Sequence, residues 1–178
     1  MNVERITIAG AGLVGSLLGL LLAQRGYKVR IFERRPDMRR TDISAGRSIN
    51  LAMSDRGLLA LERAGMADEI RKIAIPMKGR MMHDEAGKLT FQPYGVGDQA
   101  INSVSRGELN MKLMTAAEEV GVEILFDMRC VDVDLDAASA TFKHEQTGEV
   151  RTSEGDILFG ADGAFSAVRA AMQVTDRF

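Results

Sequence analysis

The chain has 178 residues, of which 46% are hydrophobic and 27% are charged, and its formal net charge is −2. This composition is typical of a globular chain of about one domain, and the near balance of charges excludes a strongly basic nucleic-acid-binding protein. One cysteine and two histidines exclude an internal disulfide framework and argue against a metal site.

The apolar residues do not form a run long enough to span a membrane. The longest candidate, residues 13–23, is interrupted by two glycines and a serine, and it falls short of the ~20 residues that a spanning helix needs. The first residues lack the basic start of a signal peptide. We therefore expect a soluble, cytoplasmic protein.

The N-terminal third carries the clearest pattern of secondary structure. Arg5–Ala9 has the apolar residues of a short buried strand, residues 10–15 are rich in glycine, and the leucine-rich segment that follows is typical of a buried helix ending near Gly26. In Lys28–Glu33 the apolar residues Val29 and Ile31 alternate with polar ones, which predicts a second strand. Strand, turn, helix and strand make a βαβ unit, which predicts a Rossmann-like α/β fold with a parallel sheet.

The glycine-rich turn has the spacing of a dinucleotide-binding fingerprint. Gly10 would permit the tight turn, Gly12 would let the backbone approach a pyrophosphate, and Gly15 would let the helix pack closely on the strands. Glu33 ends the second strand about twenty residues beyond Gly12, where an acid accepts hydrogen bonds from an adenosine ribose. An acid here favours FAD or NAD over NADP. The alternative is a glycine turn without a ligand.

The rest of the chain predicts antiparallel insertions in this fold. Residues 34–50 are predicted to form a polar, basic loop that begins with a run of four arginines within residues 34–40. Such a charge run is more often solvated than part of a site. A capping box, Ser105 with Glu108, predicts the start of a helix. The other predicted elements are helices at 55–64, 67–72 and 165–172, a hairpin within 76–91, and strands at 101–104, 122–126, 130–135, 140–144 and 156–160.

A second motif occupies residues 160–169, between the last predicted strand and the last predicted helix. Asp162 could accept a hydrogen bond from a ribityl or ribose hydroxyl, and Gly163 would allow a ligand to approach closely. Arg169 could hold the turn or reach a phosphate. The alternative is a plain strand-to-helix turn in which Asp162 caps the helix.

Together, these motifs resemble the single-component flavin-dependent aromatic hydroxylases. Further blocks carry the resemblance and narrow it to the kynurenine-hydroxylating branch: residues 46–57, 75–83, 92–95 and 103–106. The resemblance implies FAD as cofactor, NADPH as reductant, O₂ as co-substrate and L-kynurenine as substrate. It also implies that residues 1–178 are one FAD-binding domain, the N-terminal portion of a longer enzyme, with part of a substrate-facing hairpin inserted at about 76–104.

The resemblance also implies roles for individual residues. Arg80 would bind the amino-acid carboxylate of the substrate and Tyr94 would line its surroundings, although an exposed hairpin arginine is more often simply solvated. No catalytic nucleophile and no metal ligand is expected, because the cofactor carries the chemistry. The implied cofactor-binding residues are Gly10, Gly12, Leu13, Val14, Gly15, Glu33, Arg34, Ala52, Arg106, Cys130, Asp162 and Gly163.

Two alternatives to hydroxylation remain at this point. One is a stand-alone FAD- or NAD-binding module that works with a partner chain. The other is a related flavoprotein reductase that transfers no oxygen.

Overall fold

The computed structural model describes residues 3–41, 50–97 and 99–175. They form two compact units. The split unit comprises Met1–Ser44 and Asn110–Phe178, and the inserted unit comprises Ala45–Leu109. In chain order the elements are β1 (Arg5–Ala9), α1 (Leu13–Ala23), β2 (Lys28–Phe32), β3 (Asn50–Met53), α2 (Asp55–Arg63), α3 (Ala67–Arg71), β4 (Ile75–Met77), β5 (Gly79–His83), β6 (Leu89–Pro93), β7 (Ile101–Ser105), α4 (Arg106–Glu119), β8 (Glu123–Leu125), β9 (Met128–Asp134), β10 (Ser139–His144), β11 (Val150–Thr152), β12 (Ile157–Gly160) and α5 (Ala167–Thr175).

A parallel sheet of order β12-β1-β2-β8 forms the framework of the split unit. Ile8 of β1 is opposite Ile31 of β2 and Phe159 of β12. The helix α1 lies close to this sheet because its buried face is made of small residues. A Cβ added at Gly19 would stand only 2.8 Å from the Ile31 side chain. The predicted parallel βαβ fold is confirmed.

A second, antiparallel sheet of order β11-β10-β9 completes the split unit. The ring of Phe142 on β10 stacks on Phe32 of β2, with 3.9 Å between centroids and 5° between planes. Ala9, Met128, Ala140 and Val168 pack into the same buried cluster. This cluster fixes the ends of β1 and β2, from which the glycine turn and Glu33 follow.

The inserted unit contains a small sheet of order β3-β7-β4 and a separate β5-β6 hairpin. The hairpin pairs Arg80 with Gln92 and Met82 with Thr90. Its strands are almost wholly exposed. The predicted N-cap of α4 is confirmed, since Ser105 Oγ accepts the Glu108 N–H at 3.4 Å.

Some local predictions differ from the structure. The stretch around Pro76 pairs with β7 as an edge strand and is not part of the hairpin. An edge strand suits proline, because proline has no N–H to donate to a second neighbouring strand. The strands β3 and β11 have no counterpart in the prediction. The last helix begins at Ala167, two residues later than predicted. Residues 42–49 of the predicted loop lie outside the described residues.

Among the residues that the structure describes, no helix combines the length and apolar character needed to cross a membrane.

Candidate cofactor site

The glycine turn between β1 and α1 is shaped by close contacts that only glycine permits. Gly10 has φ +99°, and a Cβ there would come within 2.6 Å of the Ala161 carbonyl oxygen. A Cβ at Gly15 would stand 1.9 Å from the Gly10 carbonyl oxygen. Gly12 is different, because its Cβ would meet no atom within 4 Å. The turn is therefore closed on the protein side at Gly10 and Gly15 and open at Gly12.

The peptide groups of Ala11 are held by three buried side chains. The Ala11 N–H donates to Glu33 Oε2 at 2.8 Å. Its carbonyl oxygen accepts from Ser16 Oγ at 3.1 Å and from Asn110 Nδ2 at 3.0 Å. All four residues are buried. Because both backbone groups of Ala11 are fixed, the turn is set in its geometry before any ligand arrives.

The N-terminus of α1 faces the open side of this turn. Gly12 is the N-cap residue and supplies no side-chain cap, and the first turn of the helix holds no acidic residue. The leading N–H groups of an α-helix lack partners within the helix and carry a partial positive charge. An open glycine turn at such a helix start matches the binding of a pyrophosphate, so the residues present fit the phosphate part of a dinucleotide.

Glu33 lies at the end of β2 with 5% of its surface exposed. Its Oε1 accepts the Arg35 N–H at 3.0 Å and the Arg35 Nε at 2.8 Å. Burial raises the pKa of Glu33, but the hydrogen bonds from Arg35 and Ala11 outweigh burial and hold the pKa below its ordinary value. Glu33 is therefore a buried, ionised acceptor next to the glycine turn.

Residues 34–41 of the arginine-rich loop after β2 make specific contacts and are not a merely solvated charge run. Arg35 pairs with Glu33, and Arg39 donates to both oxygens of the buried Asp37 at 2.8 Å. Arg39 also reaches Glu118 of α4 at 2.5 Å. Arg34 is exposed beside them. Two of the four arginines thus fix the loop that carries Glu33 and Arg34.

Asp162 follows β12 and caps α5. Its Oδ2 accepts the Ala167 N–H at 2.6 Å, and its Oδ1 accepts from Ser166 Oγ at 2.5 Å. Arg169 donates to the carbonyl oxygens of Gly163 and Ala164, so its guanidinium holds the turn. Gly163 has φ +83°. In the structure Asp162 thus caps α5, as the alternative interpretation of this motif predicts. Asp162 is also half-buried and lines a cleft.

This cleft joins the two motifs within the split unit. It has a volume of about 390 Å³. Ligand-binding clefts usually have volumes of roughly 300–1,000 Å³, so this cleft is large enough to hold part of a dinucleotide. Val14 of the glycine turn lines it and is 70% exposed. The other lining residues are Gly160, Ala161, Asp162, Gly163, Ser166, Val168, Arg169 and Met172. The structure thus brings the glycine turn and the Asp162 segment to one concave surface.

The remaining predicted cofactor residues lie in three places. Leu13 is the first residue of α1, and Cys130 is half-buried on β9 against the Phe142 cluster. Burial and the nearby Asp162 carboxylate raise the pKa of Cys130 to about 11, so the thiol stays protonated at neutral pH. Ala52 on β3 and Arg106 at the start of α4 are exposed in the inserted unit. Their proposed contacts with FAD stay predictions.

The predicted substrate residues lie on the β5-β6 hairpin. Arg80 Nε donates to Gln92 Oε1 at 2.8 Å, across the strand pair. The Tyr94 N–H donates to the Lys78 carbonyl oxygen at 3.0 Å and continues the ladder beyond β6. Alternate residues of a strand share a face. Arg80, Gln92 and Tyr94 therefore lie on the same face of the hairpin.

Three residues that organise the site were not predicted from the sequence. Ser16 and Asn110 hold the Ala11 carbonyl, and Arg35 holds Glu33. A polar residue within an apolar helical segment is a signal for Ser16, and a poor helix former inside a helix is one for Asn110. Arg35 gives no such signal within a run of arginines.

The comparisons with known proteins agree with this geometry. A family described as FAD binding domain matches residues 4–177. A kynurenine 3-monooxygenase from Myxococcus xanthus is 52% identical over 172 residues, which cover 96% of this chain and 37% of that protein. Another from Cytophaga hutchinsonii is 49% identical and covers 94% of this chain and 38% of that protein. The chain thus spans about two fifths of the length of these curated relatives.

Solved structures share the fold over nearly the whole chain. A 2-methyl-3-hydroxypyridine-5-carboxylic acid oxygenase superposes with a TM-score of 0.76 and 26% identity, over 96% of this chain and 42% of that one. The flavin-dependent monooxygenase PieE, solved with FAD and substrate, has a TM-score of 0.80 at 22% identity, over 97% of this chain and 32% of that one. With its residues 4–177 matched, the chain belongs to the FAD binding domain family.

Proposed function

We propose that this chain is the FAD-binding part of an aromatic hydroxylase that uses NADPH and O₂ to convert L-kynurenine into 3-hydroxykynurenine. The observation that carries the proposal is the 52% identity with a kynurenine 3-monooxygenase, sustained over 96% of the chain. This identity includes the inserted unit as well as the glycine turn, so it extends beyond the part of the chain that any FAD-binding protein would need.

The split unit supports the cofactor half of the proposal. The open turn at Gly12 and the helix start behind it suit the pyrophosphate of FAD. Glu33 suits the adenosine ribose, and the cleft beside Asp162 suits the ribityl chain. Arg34 and Cys130 are proposed to lie near the adenosine half, and Ala52 and Arg106 are proposed to contact FAD.

The hairpin supports the substrate half of the proposal. Gln92 holds Arg80 through Nε, and the two Nη groups of a guanidinium form the fork that a carboxylate accepts in a bidentate pair. Tyr94 stands diagonally across the strand pair on the same face, a separation that long side chains can bridge. The face therefore offers a cation and a phenol to one end of an amino acid.

Bound FAD would supply the redox chemistry, taking reducing equivalents from NADPH and delivering them to O₂. The residues of this chain have the task of placement. The split unit would fix the position of the cofactor through its phosphates and ribose, and Arg80 would fix the substrate through its carboxylate. Holding two reactants in one orientation is by itself a large part of catalysis.

The test measures FAD binding first and substrate response second. We expect the purified chain to bind FAD with quenching of flavin fluorescence. In the full-length enzyme that contains this chain, we then expect L-kynurenine to stimulate NADPH oxidation and to yield 3-hydroxykynurenine. In Arg80→Met, FAD binding should persist while the response to L-kynurenine is lost. The matched control is Arg71→Met, which removes another exposed arginine of the inserted unit, paired with Glu62 and Asp68.

The possible results separate the candidate functions. NADPH oxidation that L-kynurenine does not stimulate would support a reductase. FAD binding without any NADPH oxidation would favour a cofactor-binding module. Loss of the L-kynurenine response in Arg71→Met as well as in Arg80→Met would remove the assignment of the carboxylate to Arg80.

A further inference from the structure

The hydrogen bonds that Glu33 makes with the residues described by the structure leave its carboxylate with one acceptor position unused. A carboxylate has about four lone-pair positions, two on each oxygen. Oε1 accepts two bonds, from the Arg35 backbone N–H and from Arg35 Nε. Oε2 accepts one bond, from the Ala11 N–H. The remaining position is therefore on Oε2, the oxygen that is already tied to the glycine turn.

The backbone on both sides of this carboxylate is also fixed. The Glu33 N–H donates to the Leu125 carbonyl oxygen at 2.8 Å, and the Glu33 carbonyl accepts the Met128 N–H at 2.8 Å. The Asp127 N–H donates to the Arg35 carbonyl oxygen at 3.2 Å. Neither Glu33 nor Arg35 can shift along the chain without breaking these bonds, so the orientation of the carboxylate is set by its own hydrogen bonds with Arg35 and Ala11.

We propose that Arg35 is a positioning residue of the cofactor site, which occupies Oε1 of Glu33 so that Oε2 alone accepts a single ribose hydroxyl of the adenosine half of FAD. The inference rests on the proposed cofactor site and adds the number of ribose hydroxyls that bind Glu33. Glu33 takes one of the two ribose hydroxyls and not both. Arg35 acts through Glu33 and needs no contact with the cofactor.

The position of Arg35 fits this role. Its side chain is 55% exposed while that of Glu33 is 7% exposed, so the pair has a buried acceptor and a partly solvated donor. Without the guanidinium, Oε1 would keep one backbone hydrogen bond and Oε2 would keep the bond from Ala11, so the carboxylate would be held less firmly. A hydrogen bond to a charged group is worth more than one between neutral groups, so a misplaced carboxylate should weaken ligand binding measurably.

The test compares three ligands that share the adenine and the pyrophosphate: ADP, 2′-deoxy-ADP and 3′-deoxy-ADP. In the unaltered chain we expect one deoxy analogue to bind roughly tenfold or more weakly than ADP and the other to bind like ADP. In Arg35→Met, the affinity for ADP should fall to that of the weaker analogue, whose own affinity should not change. The ligand comparison in the unaltered chain stands even if the variant fails to fold.

The matched control is Arg30→Met. Arg30 Nε donates to Glu123 Oε2 at 2.7 Å, a pair of the same chemistry on the same strand β2 but away from the turn. We expect the three affinities to stay unchanged in this variant.

Other results would overturn the inference in recognisable ways. Equal weakening by both deoxy analogues in the unaltered chain would mean that Glu33 serves both hydroxyls. An equal loss for all three ligands in Arg35→Met would mean that Arg35 has only a general structural role. In both cases ADP still binds and the cofactor site stands. Absence of ADP binding to the unaltered chain would overturn the cofactor site and the inference together.

Discussion

Two arginine–acceptor pairs, Arg35 with Glu33 and Arg80 with Gln92, have similar Nε geometry and opposite surroundings. Both donate through Nε at 2.8 Å. Glu33 is buried, and its backbone is tied to β8 and β9. Arg80 and Gln92 stand on a two-stranded hairpin whose residues are almost all exposed.

This difference separates the proposed cofactor residues from the proposed substrate residues. The proposed cofactor site is fixed by backbone contacts and buried side chains, so most changes there should alter the fold as well as the binding. The proposed substrate residues of the hairpin contribute little to folding, so changes there should alter binding alone. A scaffold holds the first kind of residue rigidly, and a surface segment presents the second.

The sharpest test of the proposed cofactor site compares two glycines of the same turn. Gly15→Ala places a Cβ against the Gly10 carbonyl oxygen, and we expect it to lower the free energy of unfolding by about 3 kcal/mol, the upper range for overpacking. Gly12→Ala meets no atom within 4 Å, so we expect normal stability with loss of FAD binding. Urea unfolding and FAD titration measure the two effects. A Gly12→Ala variant that still binds FAD would contradict the assignment of the open turn to the pyrophosphate.

Asp162 has both a structural contact and a place in the proposed binding site, since it caps α5 and lines the cleft. We expect Asp162→Ala to lower the free energy of unfolding by about 1 kcal/mol through loss of the cap, and to weaken FAD binding in addition. Asp156 is the matched control, because its Oδ2 accepts the N–H groups of Glu4 and Arg5 in the same unit. If Asp162→Ala and Asp156→Ala bind FAD equally well, Asp162 is a cap only.

The buried carboxylate should be visible in the pH dependence of stability. Its pKa in the folded chain lies below the ordinary 4.5. Glu33 therefore stabilises the fold above that value, and this contribution is lost as the pH falls through the lower, folded pKa. We expect the free energy of unfolding to fall more steeply below about pH 4.5 in the unaltered chain than in Glu33→Gln. Equal slopes in urea unfolding series would mean that Glu33 is not held ionised.

The hairpin should give the smallest effects on stability. We expect Arg80→Met and Gln92→Leu to change the free energy of unfolding by no more than about 0.5 kcal/mol, and to leave FAD binding unchanged. The response to L-kynurenine should disappear in Arg80→Met and weaken in Gln92→Leu, because the leucine no longer orients the guanidinium. A large loss of stability in either variant would break the contrast between the two regions.

The parts of the site that follow local rules could be predicted from the sequence. The turn at residues 10–15 involves neighbours along the chain, and the collision that forbids a side chain at Gly15 comes from Gly10 itself. The turn residues 84–87, Asp-Glu-Ala-Gly, likewise predict the hairpin. Both depend on neighbouring residues alone.

The supports of the site could not be predicted because they join distant segments. Asn110 reaches the Ala11 carbonyl across 99 residues, and no local pattern encodes that distance. In the sequence, Arg35 cannot be told apart from its neighbour Arg34. Only the fold shows that Arg35 binds Glu33. The edge strand at Pro76 and the strands β3 and β11 are short, and their pairing is decided by their partners and not by their own periodicity.

The pairing of β1 with β12 has a consequence for the order in which the protein forms. Ile6 lies opposite Ile157, so β1 cannot complete this pairing until β12, which lies far along the chain, has been synthesised. The β5-β6 hairpin closes locally, whereas the parallel sheet has contacts of high sequence separation, which are slow to form. At about 5–20 residues per second, the glycine turn leaves the ribosome long before Ala161 arrives to enclose Gly10. The cofactor turn is thus completed only after Ala161, which lies far along the chain, has been synthesised.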